Sequence, residues 1–393
     1  MKKKLLFVQP SMQFGGAEKS LQTLLRLLDF DKYDVDLLLF RPEGEFLKLL
    51  PKEVNLLSLP ADAQTFAQPI VPACLSFLKQ GKASLALDRL RFSKAVRKDG
   101  SVRMREQYGW QYQKKVFGTL TTEYDAAIAY LEGSPIYFCA DCVRAKKKIA
   151  YIHSDYPKLQ TNPDFDDGYF SQMDAMVVVS AQCAAALRTA FPQYADKIQI
   201  IENIIAPAVL REQAAESADF GDDYKGLRVL TMGRLDAPKG IDLGLQACAK
   251  LADKADFRWY VLGEGPEREK LEQMIRDNHL ENRFILLGTR LNPYPYLRAC
   301  DVYVQPSRFE GKSIALEEAK CLGKPILTTA FTTVADQITD GVNGSVAQID
   351  PEDIARRLSE LLSHGEIRQK YTQALQNYSG NTEELEKFYD LLT

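Results

Sequence analysis

Short apolar runs alternate along this chain with longer stretches whose apolar positions recur every three or four residues. "KLLFVQPS" is followed by "GAEKSLQTLLRLL" and then "YDVDLLLF"; later come "YDAAIAYLE", "KKIAYIHS" and "AMVVVSAQCAAALRTAF". Continuous apolar runs of this length fit strands buried on both faces, and the periodic stretches between them fit amphipathic helices. The pattern predicts parallel sheets covered by helices. It breaks at residues 211–226, "REQAAESADFGDDYKG", an acidic stretch without apolar period that reads as a linker. The alternation restarts at "LRVLTMGRLDAPKGIDLGLQACAKL" and continues through "FRWYVLGEGPEREKLEQMI", "RFILLGTR" and "DVYVQPS". The expected fold is α/β with two Rossmann-like, doubly wound domains, at residues 1–208 and 209–375. Substrates of such an enzyme are expected in the cleft between the carboxyl ends of its sheets.

A length of 393 residues exceeds one ordinary core and suits two domains. The formal charge of −3 gives no nucleic-acid-like footprint. The opening "MKKKLLFVQPS" reads as a first strand, since its apolar run is short for a signal peptide and no cleavage pattern follows. No stretch approaches the length of a membrane span. Seven scattered cysteines suggest reduced thiols in the cytoplasm. Cys139 and Cys142 have redox-motif spacing, but no second pair accompanies them, and they read as thiols on a packed helix. Three dispersed histidines do not suggest a metal site.

The candidate chemistry lies where strands end. In "TMGRLDAPKG", Gly233, Arg234 and Lys239 stand between a strand and a helix start. A cation pair there suits a phosphate, because the exposed N–H groups and helix dipole add to the charge; a solvated loop is the bland alternative. Gly15 and Gly16 in "PSMQFGGAEKS" offer a second close approach for an anion, although the loop is neither a P-loop nor a dinucleotide fingerprint. "VLGEGPE" reads as a tight turn at the rim, since Glu264 would repel a pyrophosphate. In "RFEGKSIALEEAK", Glu310 precedes a bare Gly311 and Glu318 follows in the next helix. Neither carboxylate suits a diphosphate, whereas both suit hydroxyls. Glu318 fits a ribose diol, Glu310 a sugar hydroxyl, and the Gly311 backbone the phosphates between them. A nucleotide sugar presents those groups in that order.

"FEGKSIALEE" resembles the E-x7-E motif of family-4 retaining glycosyltransferases. "GRLDAPKG" looks like that family's phosphate loop and "FGGAEKS" like its glycine turn. The resemblance runs through nearly all of residues 225–365, and more loosely through 1–40 and 123–205, and is nearest to enzymes of bacterial capsule and surface-polysaccharide synthesis. It implies a GT-B fold with a final helix, within 376–393, that often crosses back to the first domain. It implies that Arg234 and Lys239 hold the diphosphate, Thr289 and Arg290 lie by the base, Glu318 binds the ribose and Glu310 the transferred sugar. The backbone of Gly311, Lys312, Ser313 and Ile314 would lie against sugar and phosphate, and His153 in "IAYIHSDY" beside the sugar. Lys312 departs from the small or aromatic residue of many relatives, so the sugar's identity does not carry over.

The expected reaction is transfer of a sugar, with retention, from a nucleotide diphosphate sugar with uracil as the default base to a glycan acceptor that is lipid-linked. His153, Arg234, Lys239 and Glu310 are the expected catalytic groups. No cofactor or metal is expected, because cations stand where a metal would bridge phosphates. The D-x-D spacings at Asp34/Asp36 and Asp164/Asp166 read as chance. A sugar-nucleotide epimerase and a non-catalytic paralogue that stabilises a partner transferase are the alternatives. A basic insertion at residues 78–116 completes the picture. Residues 79–115 hold eleven Lys or Arg against three acids, with Leu78, Leu85, Phe92 and Val96 at helical spacing and Tyr108, Trp110 and Tyr112 following. That composition suits an anionic membrane surface, and a peripheral position on the inner face of the plasma membrane; a stripe packed on its own domain is the alternative.

Overall fold

A computed structural model describes residues 2–13, 15–98 and 100–393; Met1, Phe14 of the first glycine loop and Asp99 of the basic segment lie outside the described residues. The chain divides into two compact units. The first runs to Ile204 and resumes at Glu383–Thr393, and the second is Ile205–Thr382.

The first unit holds a parallel seven-stranded sheet in the order β3-β2-β1-β4-β5-β6-β7. Its strands are β1 (Lys3–Gln9), β2 (Tyr33–Leu39), β3 (Val54–Leu57), β4 (Glu123–Ala129), β5 (Arg144–Ile152), β6 (Ala175–Val178) and β7 (Ile198–Ile200). Apolar residues alternate between its faces: Leu6 and Val8 enter one core, Leu5 and Phe7 the other. The second sheet, also parallel, has six strands in the order β10-β9-β8-β11-β12-β13. These are β8 (Leu227–Met232), β9 (Phe257–Leu262), β10 (Phe284–Gly288), β11 (Val302–Gln305), β12 (Ile326–Thr329) and β13 (Ser345–Ala347). Both sheets are doubly wound, the architecture of the GT-B class.

The unit boundaries differ from those the sequence suggested. The break falls at Ile204/Ile205 rather than at 208/209, because a helix at Pro207–Gln213 buries Leu210 in the second core. The acidic stretch is not a loose linker either. Phe220 enters that core beneath the Arg228 guanidinium, and Asp222 accepts hydrogen bonds from Arg258 at 2.8 Å and Tyr260 at 2.6 Å. The return falls at Thr382/Glu383 rather than at 375/376, since Tyr378 packs against the second core and its hydroxyl donates to Glu317. The last helix, Glu384–Leu391, belongs to the first unit. Its Phe388 is fully buried and stacks on Phe7 at 6.1 Å, and Tyr389 stacks on Tyr33 at 5.5 Å.

The basic insertion folds as helices Ile70–Lys79, Ala83–Ala95 and Val102–Gln113. Here the sequence reading needs correction. Leu85, Phe92 and Tyr112 pack against the first core, and Trp110 is fully buried with its Nε1–H donating to Asp141 at 2.8 Å. Phe92 and Val96 press on Gly109, where an added side-chain carbon would lie 2.6 Å from the Phe92 ring. Arg89 is buried between Phe66 and Phe92 and donates to the Gln68 carbonyl at 2.9 Å. Leu85, Phe92, Val96 and Trp110 therefore face inward, because packing aromatic area on the domain outweighs presenting it to solvent, while Leu78 of the same stripe stays exposed. Asp36 and Asp166, the second members of the D-x-D pairs, are buried acceptors: Asp36 for Asn55 and Tyr124, Asp166 for Gln107, Tyr137 and Tyr156. All seven cysteines are free thiols, and burial pushes the Cys139 and Cys142 thiols far up from their ordinary range.

Truncating Phe388 tests the place of the last helix. Phe388→Ala should destabilise the protein by about 3–5 kcal/mol, the usual cost of emptying a buried aromatic site. Urea unfolding measures it, and an unchanged unfolding free energy would mean that the helix adds nothing to the first unit's core.

Candidate active site

In a doubly wound sheet the winding reverses between two central strands, and ligands bind beside their carboxyl ends. In the second unit these strands are β8 and β11. They carry the two motifs singled out from the sequence. Gly233, Arg234 and Lys239 follow β8; Glu310 and Gly311 follow β11 and lead into the helix Ile314–Cys321.

The loop after β8 is held from beneath. Gly263 sits so close to it that any Cβ there would lie 1.8 Å from the Gly233 carbonyl oxygen, at a φ of +158°. Leu235 N–H donates to the Glu264 carbonyl and Glu267 N–H to the Leu235 carbonyl, both at 3.0 Å. "VLGEGPE" is thus the floor of the Arg234 loop. From the other side, Arg308 grips Asp242 through two bonds of 2.7 Å and the Ala237 carbonyl at 2.9 Å. The Arg308 backbone N–H also donates to the Pro238 carbonyl at 2.7 Å. Burial would raise the Asp242 carboxyl, but Arg308 outweighs it and holds it below the ordinary range. Arg234 projects into solvent, with its Nε 3.7 Å from Asp236.

Lys239 and Glu310 meet directly. Lys239 Nζ donates to both Glu310 oxygens, at 2.7 and 2.9 Å. Glu310 Oε1 also accepts from Gln305 Nε2 at 2.5 Å and from Ser307 Oγ at 2.7 Å. Eight residues on, Glu318 is buried and accepts from the Tyr294 hydroxyl at 3.0 Å. Between them Ser313 caps the helix, its Oγ accepting from Leu316 N–H. Gln337 clamps that cap: its Oε1 accepts from Ser313 N–H at 2.9 Å and its Nε2 donates to the Ser313 carbonyl at 2.8 Å. Lys312 and Ile314 are half-buried beside it. Arg290 is spent on its own loop, donating to the Leu287 and Thr289 carbonyls and to Tyr296. Thr289 is half-buried in that loop.

In the first unit the reversal falls between β1 and β4. Gly15 caps the helix Gly16–Leu27, and the Glu18 carboxylate folds over it, 2.1 Å from where a Cβ would stand. An anion at this helix end would have to displace Glu18. His153, past the end of β5, places Nε2 3.1 Å from the Tyr130 carbonyl, and its backbone N–H donates to Glu132 Oε2 at 3.0 Å. Burial pushes the His153 pKa down, with the Glu132 carboxylate only partly opposing. The ring is therefore neutral at pH 7, with Nε2–H donating and Nδ1 left as an acceptor. Burial would raise Glu132, but Arg103 and then His153 outweigh it and leave the carboxyl below its usual value.

Residues 212–378 match the family of glycosyl transferases group 1. The match covers most of the second unit, Ile205–Thr382. Among curated proteins, the chain is 29% identical over 177 residues to an N-acetylgalactosamine-N,N'-diacetylbacillosaminyl-diphospho-undecaprenol 4-alpha-N-acetylgalactosaminyltransferase of Campylobacter jejuni, covering 44% of this chain and 47% of that one. A putative colanic acid biosynthesis glycosyltransferase of Salmonella typhimurium is 28% identical over 162 residues, covering 38% and 39%. The matched stretch thus spans less than half the length of these relatives. Among solved structures, Anabaena HepE in complex with UDP and glucose superposes with a TM-score of 0.71 at 17% identity, over 99% of each chain. Staphylococcus aureus TarM, in a complex with UDP among other ligands, has a TM-score of 0.67 at 13% identity over the whole of both chains. These likenesses establish the GT-B fold.

Five positioning residues escaped the sequence reading: Gln305, Ser307, Gln337, Glu132 and Arg103. Gln305 and Ser307 had a signal, since polar residues at the end of an apolar strand seldom face a core without reason. The same "VQPS" ends β1, where both amide atoms of buried Gln9 have no hydrogen-bond partner. Gln337 had none, lying in an ordinary loop.

The His153–Glu132 pair makes a prediction about acid. A histidine and a carboxyl that both titrate below their ordinary values, 6.5 and 4.5, stabilise the fold above those values and lose that contribution as pH falls. The melting temperature should therefore begin to drop as pH falls through about 6.5. His153→Gln should postpone the drop towards the carboxyl range. An identical onset in the variant would exclude His153 as its source.

Proposed function

We propose that this protein is a retaining, metal-independent glycosyltransferase that moves a sugar from a UDP-sugar to a hydroxyl of a lipid-linked glycan, in capsule or other surface-polysaccharide synthesis. It works at the inner face of the plasma membrane. The observation that carries the reading is the arrangement at the end of β8 and β11. An outward cation, a second cation resting on a carboxylate, a clamped helix N-terminus and a buried carboxylate follow one another there. Diphosphate, sugar and ribose need groups of those kinds. A relative named for transfer to a diphospho-undecaprenol glycan, another named as a putative colanic acid biosynthesis glycosyltransferase, and fold neighbours holding UDP support the choice of donor and acceptor class.

In this reading the acceptor oxygen bonds to the anomeric carbon as that carbon's bond to the diphosphate oxygen breaks, on the same face of an oxocarbenium-like sugar. The diphosphate takes the acceptor's proton and leaves. Arg234 and Lys239 stabilise the charge that develops on it. Lys239, Gln305 and Ser307 all donate to Glu310 Oε1, whereas Oε2 accepts, among the described residues, from Lys239 alone, so Lys239 is the donor that holds both oxygens. The diphosphate draws Lys239 away and so frees Glu310 for a sugar hydroxyl. The neutral ring of His153 belongs to the transferred sugar, and Thr289 and Arg290 to the base.

Lys239→Ala should lower kcat a hundredfold or more, about 2.7–4 kcal/mol of barrier. Placing it on Glu310→Gln separates two roles. If Lys239 holds diphosphate, the double variant is far slower than Glu310→Gln alone; equal rates would mean that the lysine only pins the carboxylate. Glu318→Gln should weaken donor binding more than kcat, and unchanged UDP affinity would remove the ribose assignment. Activity should survive EDTA. A panel of nucleotide sugars, assayed for diphosphate release with and without acceptor, tests the whole. Release from none of them overturns the reading, and interconversion of donors without release makes the protein an epimerase.

A further inference from the structure

Five of the ten large apolar side chains that the described residues expose lie within residues 71–90. Val71, Leu75 and Leu78 recur at i, i+4 and i+7 on the helix Ile70–Lys79, exposed by 67%, 53% and 55%. Leu87 and Leu90, exposed by 46% and 51%, stand on the helix Ala83–Ala95 that turns back against it. The inward sides of both helices are already spent: Ala73, Phe77, Ala86 and Phe92 meet the core, and the Cys74 thiol reaches the Ala86 carbonyl. The outer face of Ala83–Ala95 continues from its leucines into Arg91, Lys94, Arg97 and Lys98, all exposed. The only acid among residues 70–98 is Asp88, which is buried and bridged to Lys115 at 2.8 Å and, more loosely, to Arg91 at 3.7 Å.

We propose that this outer face of the hairpin is the protein's docking surface for an anionic lipid bilayer. The inference rests on the membrane-side function above and names the surface that serves it: Leu78 of the stripe the sequence suggested belongs to this surface, whereas Leu85, Phe92 and Val96 do not. Apolar side chains flanked by cations are what an anionic interface selects: the leucines enter the acyl boundary and the cations stay at the headgroups. A second copy of the chain is a poor occupant, because a two-fold contact sets the same surface against itself and brings like charges together. Among the described residues of this face no carboxylate is exposed to pair with a basic partner.

Sedimentation of the full chain with vesicles tests the surface. Binding is expected to mixed phosphatidylglycerol–phosphatidylcholine vesicles, to weaken with salt, and to be largely absent on phosphatidylcholine alone. Two variants divide the face: Leu75→Asn with Leu78→Asn, Leu87→Asn and Leu90→Asn, and Arg91→Gln with Lys94→Gln, Arg97→Gln and Lys98→Gln. Each set should lower partitioning about tenfold or more. Melting temperature and diphosphate release with a soluble acceptor should not change in either set. No binding, equal binding to both vesicle types, or wild-type binding by both variants overturns the surface. So does a leucine variant that converts a dimer to monomer without altering lipid binding. A chain that binds anionic vesicles but releases diphosphate from no donor keeps the surface and loses the transferase reading; the converse result loses the surface alone.

Discussion

Because parallel crossovers are right-handed, a sheet covered on both faces must reverse its winding once, and the reversal leaves two neighbouring strand ends without a helix over them. In the second unit those ends belong to β8 and β11. The contacts between the two motif loops follow from that neighbourhood. Lys239 reaches Glu310 across 71 positions of sequence only because the two strands are adjacent. Arg308 reaches back to the carbonyls of the β8 loop for the same reason. The Gly263 turn, one strand further out, fixes the height of the Arg234 loop.

A half-buried ion pair contributes little net stability, since desolvation offsets most of its attraction. The Lys239–Glu310 pair therefore makes better sense as stored arrangement than as a strut. Gln305 and Ser307 hold the carboxylate in place whether or not the lysine stays. The lysine, on a flexible stem and partly open to solvent, is the mobile partner. A dianionic diphosphate offers it more charge than one carboxylate does. Exchange of the lysine leaves behind a pre-oriented acceptor with vacant sites, and the orientation has been set before the donor arrives.

The alternation of apolar runs carries the fold class and the two-unit division, because strands buried on both faces leave an unmistakable composition. The glutamate spacing and the paired cations carry the core of the candidate site for a similar reason: both lie in single loops, so local sequence contains them. What sequence could not carry are contacts made across strands. The Gln337 clamp on Ser313 and the Arg103–Glu132–His153 chain join residues dozens of positions apart, with no periodicity between them. Boundaries failed for another reason. The acidic composition around Asp222 suggested a linker, but two arginines and a tyrosine consume that charge.

The basic excursion shows where periodicity alone misleads. Helical spacing selects Leu78, Leu85, Phe92 and Val96, of which Leu85 and Phe92 lie on Ala83–Ala95, but the same helix carries Leu87 and Leu90 on its other side. A spacing rule can find either stripe; it cannot say which one the domain consumes. The aromatic ring decides it, because Phe92 fits over Gly109 and against Phe66 at 5.2 Å, a contact no leucine on the outer face could replace. Once that stripe is inside, the leucines are outside by geometry, along with the cations between and beyond them. A helix apolar on all sides is normally a buried one. This one has a cover on one side only, and the charge around its open side defines what kind of cover remains to be supplied.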